Sequence, residues 1–187
     1  YRPGCKFDNV LVLVGAQGAR KSTLVQTLGG YRYVGEGHLD FKDNKRAVEK
    51  ISGRWLYELA ELDKYGSQDA ARVKDFVTVT HDRERAAYGR SVTDVPRMTC
   101  FVGTSNRTDL LMDETGSRRF WIVNVGDNID TDHLADVRAQ LLGEAVVYWR
   151  KHKDDAFLLH LTPELEAIRE ALNADTFTAR HHFCDLI

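Results

Sequence analysis

Asn9-Val-Leu-Val-Leu-Val14 is a short, nearly continuous apolar run that stops at Gly15. Lacking polar alternation and closed by glycine, it predicts a strand buried on both faces at the centre of a parallel sheet. Ser22 to Leu28 reads as helix, and Gly29-Gly30 ends it as a C-terminal cap would. A linker rich in glycine and aromatics leads to a charged segment, Lys42–Lys50, of helical character. Trp55-Leu-Tyr57 predicts a second strand ending on Glu58, Asp69–Val77 a helix, and the polar, alternating stretch Val77–Val95 a hairpin. Met98-Thr-Cys-Phe-Val102 reads as a third strand, ending in Gly103-Thr-Ser-Asn106, and Phe120-Trp-Ile-Val-Asn-Val125 as a fourth.

The remainder reads as helical. Leu134, Val137, Leu141, Ala145 and Tyr148 recur at helical period, so that helix is expected to lay one face on the sheet. Thr162-Pro163 joins an N-cap to a proline at the first helical position, opening a helix with Leu165, Ile168 and Leu172 inward. Strands alternating with helices predict an α/β fold, a parallel sheet flanked by helices. Repeats and low-complexity tracts are absent.

Composition narrows the class. The 187 residues are one domain's worth of chain, with about 155–187 a C-terminal helical extension. Apolar residues make up 43% and charged residues 29%, which excludes the disordered class. No apolar run approaches the ~20 residues of a membrane span, and no leader pattern opens the chain, so no membrane partner is expected. The Tyr-Arg-Pro opening, without Met, is read as a piece cut from a longer protein. Cys5, Cys100 and Cys184 are odd in number and widely spaced, which fits a reducing cytoplasm and argues against a disulfide framework. A net charge of −2 gives no global pull toward nucleic acid, yet a machine touching DNA through a few loops needs none.

The chemistry begins where the first strand ends. Gly15-Ala16-Gln17-Gly18-Ala19-Arg20-Lys21-Ser22-Thr23 stands between a buried strand and a helix, the context a phosphate-binding Walker A loop requires. Small residues let backbone N–H groups close around phosphates, and the helix N-terminus adds partial positive charge. Lys21 would reach the β- and γ-phosphates of a nucleoside triphosphate, and the Ser22 hydroxyl would ligate Mg2+. Arg20 departs from the pattern, standing where a second glycine is expected. At positive φ it would carry ~1–2 kcal/mol of strain. Its guanidinium is either merely tolerated there or a further phosphate contact.

In such ATPases a carboxylate at the tip of a neighbouring strand holds the metal, and an acidic group orients the attacking water. Glu58 and Glu61 are the candidates, Glu58 for the metal together with Ser22. Asn106, after the third strand, is placed to hydrogen-bond the γ-phosphate or the water, although a polar residue there is commonly only a turn. Arg118-Arg119 follows Asp113-Glu-Thr-Gly116-Ser and precedes the fourth strand. Such a pair is either a solvated surface feature or the source of an arginine finger, which a neighbouring subunit can supply. Lys74, Arg83, Arg85 and Arg90 are candidate contacts to DNA phosphates, against the alternative of a charged loop with Asp82 and Glu84 interleaved. His181-His182-x-Cys184 lacks the further ligands of a metal site and reads as a surface tail.

In order along the chain stand Pro3-Gly-Cys-Lys-Phe-Asp8, the Gln-Gly-x-x-Lys-Ser-Thr loop, Trp55-Leu-Tyr-Glu-Leu-Ala-Glu-Leu62 and Lys74-Asp-Phe. Asp82-Arg-Glu-Arg-Ala-Ala-Tyr-Gly-Arg90, Pro96-Arg97, Phe101-Val-Gly-Thr-Ser-Asn106 and Thr115-Gly-Ser-Arg-Arg-Phe-Trp121 follow. Together they resemble the virulence-associated protein E family, related to phage and plasmid superfamily 3 helicases, from Tyr1 to about Trp149. The resemblance implies an AAA+-like P-loop ATPase that binds ATP and Mg2+, forms rings, commonly hexamers, and moves on single-stranded DNA. Replication of phages or mobile elements inside a bacterial cell is the implied setting. It gives Lys21 and Ser22 the Walker A roles, Glu58 and Glu61 the Walker B roles, Asn106 the sensor role and Arg118 or Arg119 the finger. Lys74 and residues 83–90 correspond to the region that includes a pore hairpin.

Two other functions fit a phosphate loop. A small-molecule phosphotransferase would need an acceptor pocket or lid, which the sequence does not display. A regulatory nucleotide-binding module, for example in phage defence, would use Arg20 to weaken catalysis.

Overall fold

The computed structural model describes residues 4–65, 67–85, 92–107, 119–155 and 159–172. Arg90, Arg118 and the His181-His182-x-Cys184 tail lie outside these residues. Five strands form one sheet: β1 (Val10–Val14), β2 (Val34–Glu36), β3 (Leu56–Leu59), β6 (Cys100–Ser105) and β7 (Phe120–Asn124). A separate antiparallel pair, β4 (His81–Arg85) and β5 (Val92–Pro96), is the expected hairpin. The helices are α1 (Lys21–Gly29), α2 (Asn44–Ile51), α3 (Ser67–Val77), α4 (Thr131–His152) and α5 at residues 163–172, with a 3-10 turn at Leu62–Lys64. No described helix is long and apolar enough to cross a membrane.

The sheet runs in the order β2-β3-β6-β1-β7, and every neighbouring pair is parallel. Both faces are therefore covered, and the strands divide their residues between two cores by parity. Val10, Val12 and Val14 join Tyr57, Leu59, Phe101, Phe120 and Ile122 on the face packed by α2 and α3. Leu13, Leu56 and Val102 join Val25 of α1 on the other face, with Leu11, Leu24 and Leu28 against them. At the N-terminus of α2, the Asp43 carboxylate accepts from Arg46 N, as capping requires. α1 stops at Gly30, whose φ of 78° suits glycine and whose N–H returns to Gln26 O.

Four sequence expectations are corrected. The glycine-rich linker contains a strand, β2, too short at three residues to show alternation. The third strand starts at Cys100 instead of Met98, since Cys100 N bonds Trp55 O and the Thr99 hydroxyl is drawn to Ile51 O and Arg54 O. α4 packs on α1 and not on the sheet, and the later members of its stripe, Leu141, Ala145 and Tyr148, are exposed. In α5, capped by Thr162 as expected, Leu165 and Ile168 face solvent while Arg169 is the buried residue.

The hairpin is fastened at its root by a buried ion pair. Arg97, just after β5, donates through Nε to Asp82 Oδ2 at 2.9 Å, through NH2 to Asp82 Oδ1, and through NH1 to Phe76 O. Its guanidinium lies over the Phe76 ring at 4.4 Å and near Phe101 at 5.8 Å, tying hairpin, α3 and β6 together. Removing one partner of a buried pair leaves an uncompensated charge. Asp82→Ala should therefore cost about 3–5 kcal/mol in urea unfolding, whereas the apolar double replacement Asp82→Leu with Arg97→Met should recover most of that loss. Equal destabilisation by single and double variants would disprove this account.

Candidate functional site

The same parity that divides the cores builds a polar site at the C-terminal ends of the strands. Glu58 shares the face of Leu56, and Thr104 the face of Val102, so both point toward α1. Ser22, in the first turn of α1, donates its hydroxyl to Glu58 Oε1 at 2.6 Å, and the Thr104 hydroxyl donates to the same oxygen at 2.8 Å. Glu58 is only 1% exposed, and an ionised group so buried needs such donors. β3 is not the immediate neighbour of β1, as the sequence reading supposed; β6 lies between them. Glu58 nevertheless meets the loop because α1 crosses back over β3 and β6.

Lys21 is held just as firmly. Its ammonium donates to Gly15 O at 2.7 Å, Ala16 O at 2.8 Å and Asn106 Oδ1 at 3.0 Å, and the residue is 7% exposed. One cation thus joins the ends of β1 and β6. Gly15 has no room for a side chain, since a Cβ would come within 2.7 Å of Val125. Gly18 and Arg20 both take left-handed backbone, with φ of 87° and 63°. Alternating hands of this kind turn successive N–H groups inward as an anion-binding nest. No side chain caps the N-terminus of α1 and its first turn holds no acid, so its partial positive charge is not offset there. A cavity of about 380 Å³ opens between residues 17–23 and Ala60, Glu61, Thr104, Ser105 and Asn106.

These donors suit a hard divalent cation. Mg2+ is bound through one or two carboxylates, hydroxyls and the oxygens of a bound phosphate rather than by an all-protein cage. Ser22 Oγ and Glu58 Oε1 are such oxygens, already side by side. Among the described residues no cluster of three or more His, Cys, Asp or Glu offers another metal site. Burial, and secondarily Cys5, raises the Cys100 thiol to about 11, so it stays protonated at neutral pH and is no nucleophile.

The structure brings Lys21, Ser22, Glu58 and Asn106 together and deals differently with the other candidates. Glu61 lines the cavity but is exposed, in left-handed backbone at φ 54°, and pairs with Lys64 at 2.7 Å. The Arg20 guanidinium is drawn to the Thr131 hydroxyl at 3.2 Å, with Asp132 at 3.8 Å. Lys74 lies on α3 and is 7% exposed, which withdraws its charge from any strand passing over the surface. Arg83 is exposed on β4 and pairs with Asp94 at 3.2 Å, while Arg85 is the last residue of that strand. Arg119 precedes β7, at the opposite end of the sheet from the loop, with Asp8 at 3.5 Å as its ionic neighbour. Six strand steps of ~3.3 Å put it about 20 Å from the level of Gly15, beyond the reach of its side chain. It lines a second cavity of about 310 Å³ with Lys6, Asp8 and Trp121.

Sequence reasoning missed Thr104 and Thr131. Thr104 stands two residues before Asn106 on a strand, and period-2 spacing alone places the two on one side. Thr131 had no local signal, being 111 residues from its partner Arg20.

The profile of the virulence-associated protein E-like domain matches residues 1–178. The chain belongs to this family. No curated protein sequence matches it. Among solved structures, this virulence-associated protein E-like domain is similar to the apo C-terminal region, residues 305–718, of NrS-1. The TM-score is 0.52 at 13% identity, over 73% of this chain and 36% of that one. An A form of the same region gives a TM-score of 0.50 at 12% identity, over 71% and 35%. At such identity the likeness is one of fold. The chain spans about a third of the length of those solved chains.

Thr104 supplies one of the two hydroxyl donors that Glu58 receives. Thr104→Val, which keeps the shape, should destabilise the domain by about 1–3 kcal/mol because a buried carboxylate oxygen loses a donor. Urea unfolding measures it, and a midpoint unchanged from the parent would show that Ser22 alone satisfies the carboxylate.

Proposed function

We propose that this domain is the ATPase motor of a replication protein from a phage or mobile genetic element, an AAA+-like P-loop domain working as a ring, commonly a hexamer, on single-stranded DNA in the bacterial cytoplasm. The observation that carries the reading is the meeting of Ser22 and Glu58, two hard oxygens 2.6 Å apart, beside a lysine-bearing anion loop. The all-parallel order β2-β3-β6-β1-β7 supports the fold assignment, with the loop following a central strand. Family membership and the likeness to the NrS-1 C-terminal region are consistent with it.

The residues divide the work as follows. The backbone of residues 15–23 and the α1 N-terminus bind the triphosphate, and Lys21 neutralises charge on its outer phosphates. Ser22 and Glu58 would hold Mg2+, which would neutralise the phosphate charge that repels an incoming water. Asn106 fixes Lys21 and orients the reacting end of the nucleotide. Glu61, once released from Lys64, orients the water. Arg119, or Arg118 beside it, acts on the nucleotide of a neighbouring subunit. The distance of Arg119 from its own loop favours action in trans. Arg83 and Arg85 on the hairpin, with Arg90, contact DNA phosphates. A regulatory module that binds nucleotide and turns it over weakly is the second reading, favoured by the left-handed Arg20 in the loop.

Two measurements test this. DNA-stimulated hydrolysis should be abolished by Lys21→Ala and by Glu58→Gln, since an amide is a poor ligand for a hard cation. Tight nucleotide binding without turnover, with or without DNA, would establish the regulatory module instead.

A trans finger makes a further demand. Arg119→Ala, and if needed Arg118→Ala, should lower turnover on the order of 10³-fold, and mixing the inactive finger variant with Lys21→Ala should restore part of it. No recovery in demonstrably mixed rings would defeat the trans assignment.

A further inference from the structure

Arg20 occupies the last position of the loop, in a backbone conformation that an L-residue avoids. Arg20 is among the residues that line the cavity, and its NH1 reaches the start of α4. There NH1 donates to the Thr131 hydroxyl at 3.2 Å, and Thr131 is only 5% exposed. Asp132 stands 3.8 Å away but is almost fully exposed, so the buried hydroxyl is the firmer anchor. The neighbouring backbone makes the same crossing, since Ile129 N donates to Ala19 O at 3.2 Å. At the far end of α1, Arg138 of α4 donates through Nε to Leu28 O at 2.8 Å. α4 is thus strapped to α1 at two points, one of which is the phosphate loop.

We propose that Arg20 is a positioning residue: a strap from the phosphate loop to Thr131 that holds the loop in its anion-binding shape and couples it to the seating of α4. This rests on the loop being the nucleotide site. On this proposal Arg20 serves the loop through Thr131, where its NH1 is engaged, and not through a phosphate contact. Glycine would take the left-handed backbone freely but could not reach Thr131. Alanine would suffer both losses. Arginine keeps the shape because Thr131 supports it.

The test is a double-mutant cycle on the whole domain, with Mg2+·ADP affinity read by calorimetry and amide exchange read at residues 134–138 of α4. Thr131→Val should weaken ADP about 5- to 30-fold when Arg20 is present, the loop spending less time in its competent shape. In an Arg20→Gly background the same Thr131→Val change should leave affinity within about threefold, because the strap is already gone. Arg20→Ala should bind ADP more weakly than Arg20→Gly. Arg20→Gly should speed exchange at residues 134–138, and ADP should slow exchange there in the parent but not in that variant.

A fall in affinity for Arg20→Gly with no effect of Thr131→Val would overturn the strap and make Arg20 a phosphate ligand. Equal effects of Thr131→Val in both backgrounds would also overturn it. If the parent binds no ADP at all, the nucleotide reading fails, and the exchange of the unliganded protein still decides the strap: unaltered exchange in Arg20→Gly ends it.

Discussion

A carboxylate sealed from water must be surrounded by donors or by a cation, and Glu58 is where this domain meets that demand. Its oxygen receives a hydroxyl from β6 and another from α1. To deliver both, α1 must return across β3 and β6, the two strands must be parallel, and their register must put residues 58 and 104 on one face. The central sheet and the first helix thereby answer to one buried charge. Lys21 complements it, carrying positive charge into the loop that closes the same edge. Lys21 donates to Gly15 O, Ala16 O and Asn106 Oδ1 while Glu58 receives the Ser22 and Thr104 hydroxyls, and a ligand bearing negative charge and a divalent ion would meet both groups.

How much of this was legible depended on whether a signal was local. β1, the turn at Gly15–Arg20 and α1 could be read from adjacent residues, because a buried parallel strand shows as an uninterrupted apolar run and glycines mark the turn into the helix. Glu58 and Asn106 were found as strand ends. Where packing over long sequence distances decides, the reading failed. Lys74 looked like surface charge, yet α3 turns it inward. The stripe on α4 looked like a face for the sheet, although α1 already covers that layer and α4 packs on α1 instead. Arg20 showed its conformational cost in the sequence, but the hydroxyl that relieves it lies more than a hundred residues away.

The Arg97–Asp82 pair shows the same economy in another place. Among the described residues, none of the β4–β5 ribbon belongs to either core cluster, and two strands by themselves are marginal. One guanidinium, stacked on Phe76 and near Phe101, ties its root to the rest of the domain. Phe101 lies on β6, the strand that carries Thr104 and leads to Asn106, so the ribbon's root and the polar site share a structural member.

α4 is a long lever. Arg138 ties it to Leu28 O of α1, and beyond that point Leu141, Val146, Val147 and Tyr148 stand exposed while Leu142 and Trp149 are half-buried. Residues 139–152 extend about 21 Å at 1.5 Å per residue, so a tilt of roughly 10° at Arg138 would swing the tip through nearly 4 Å. A displacement small at the Gly15–Thr23 loop would become, at the end of this helix, a movement as large as a side chain.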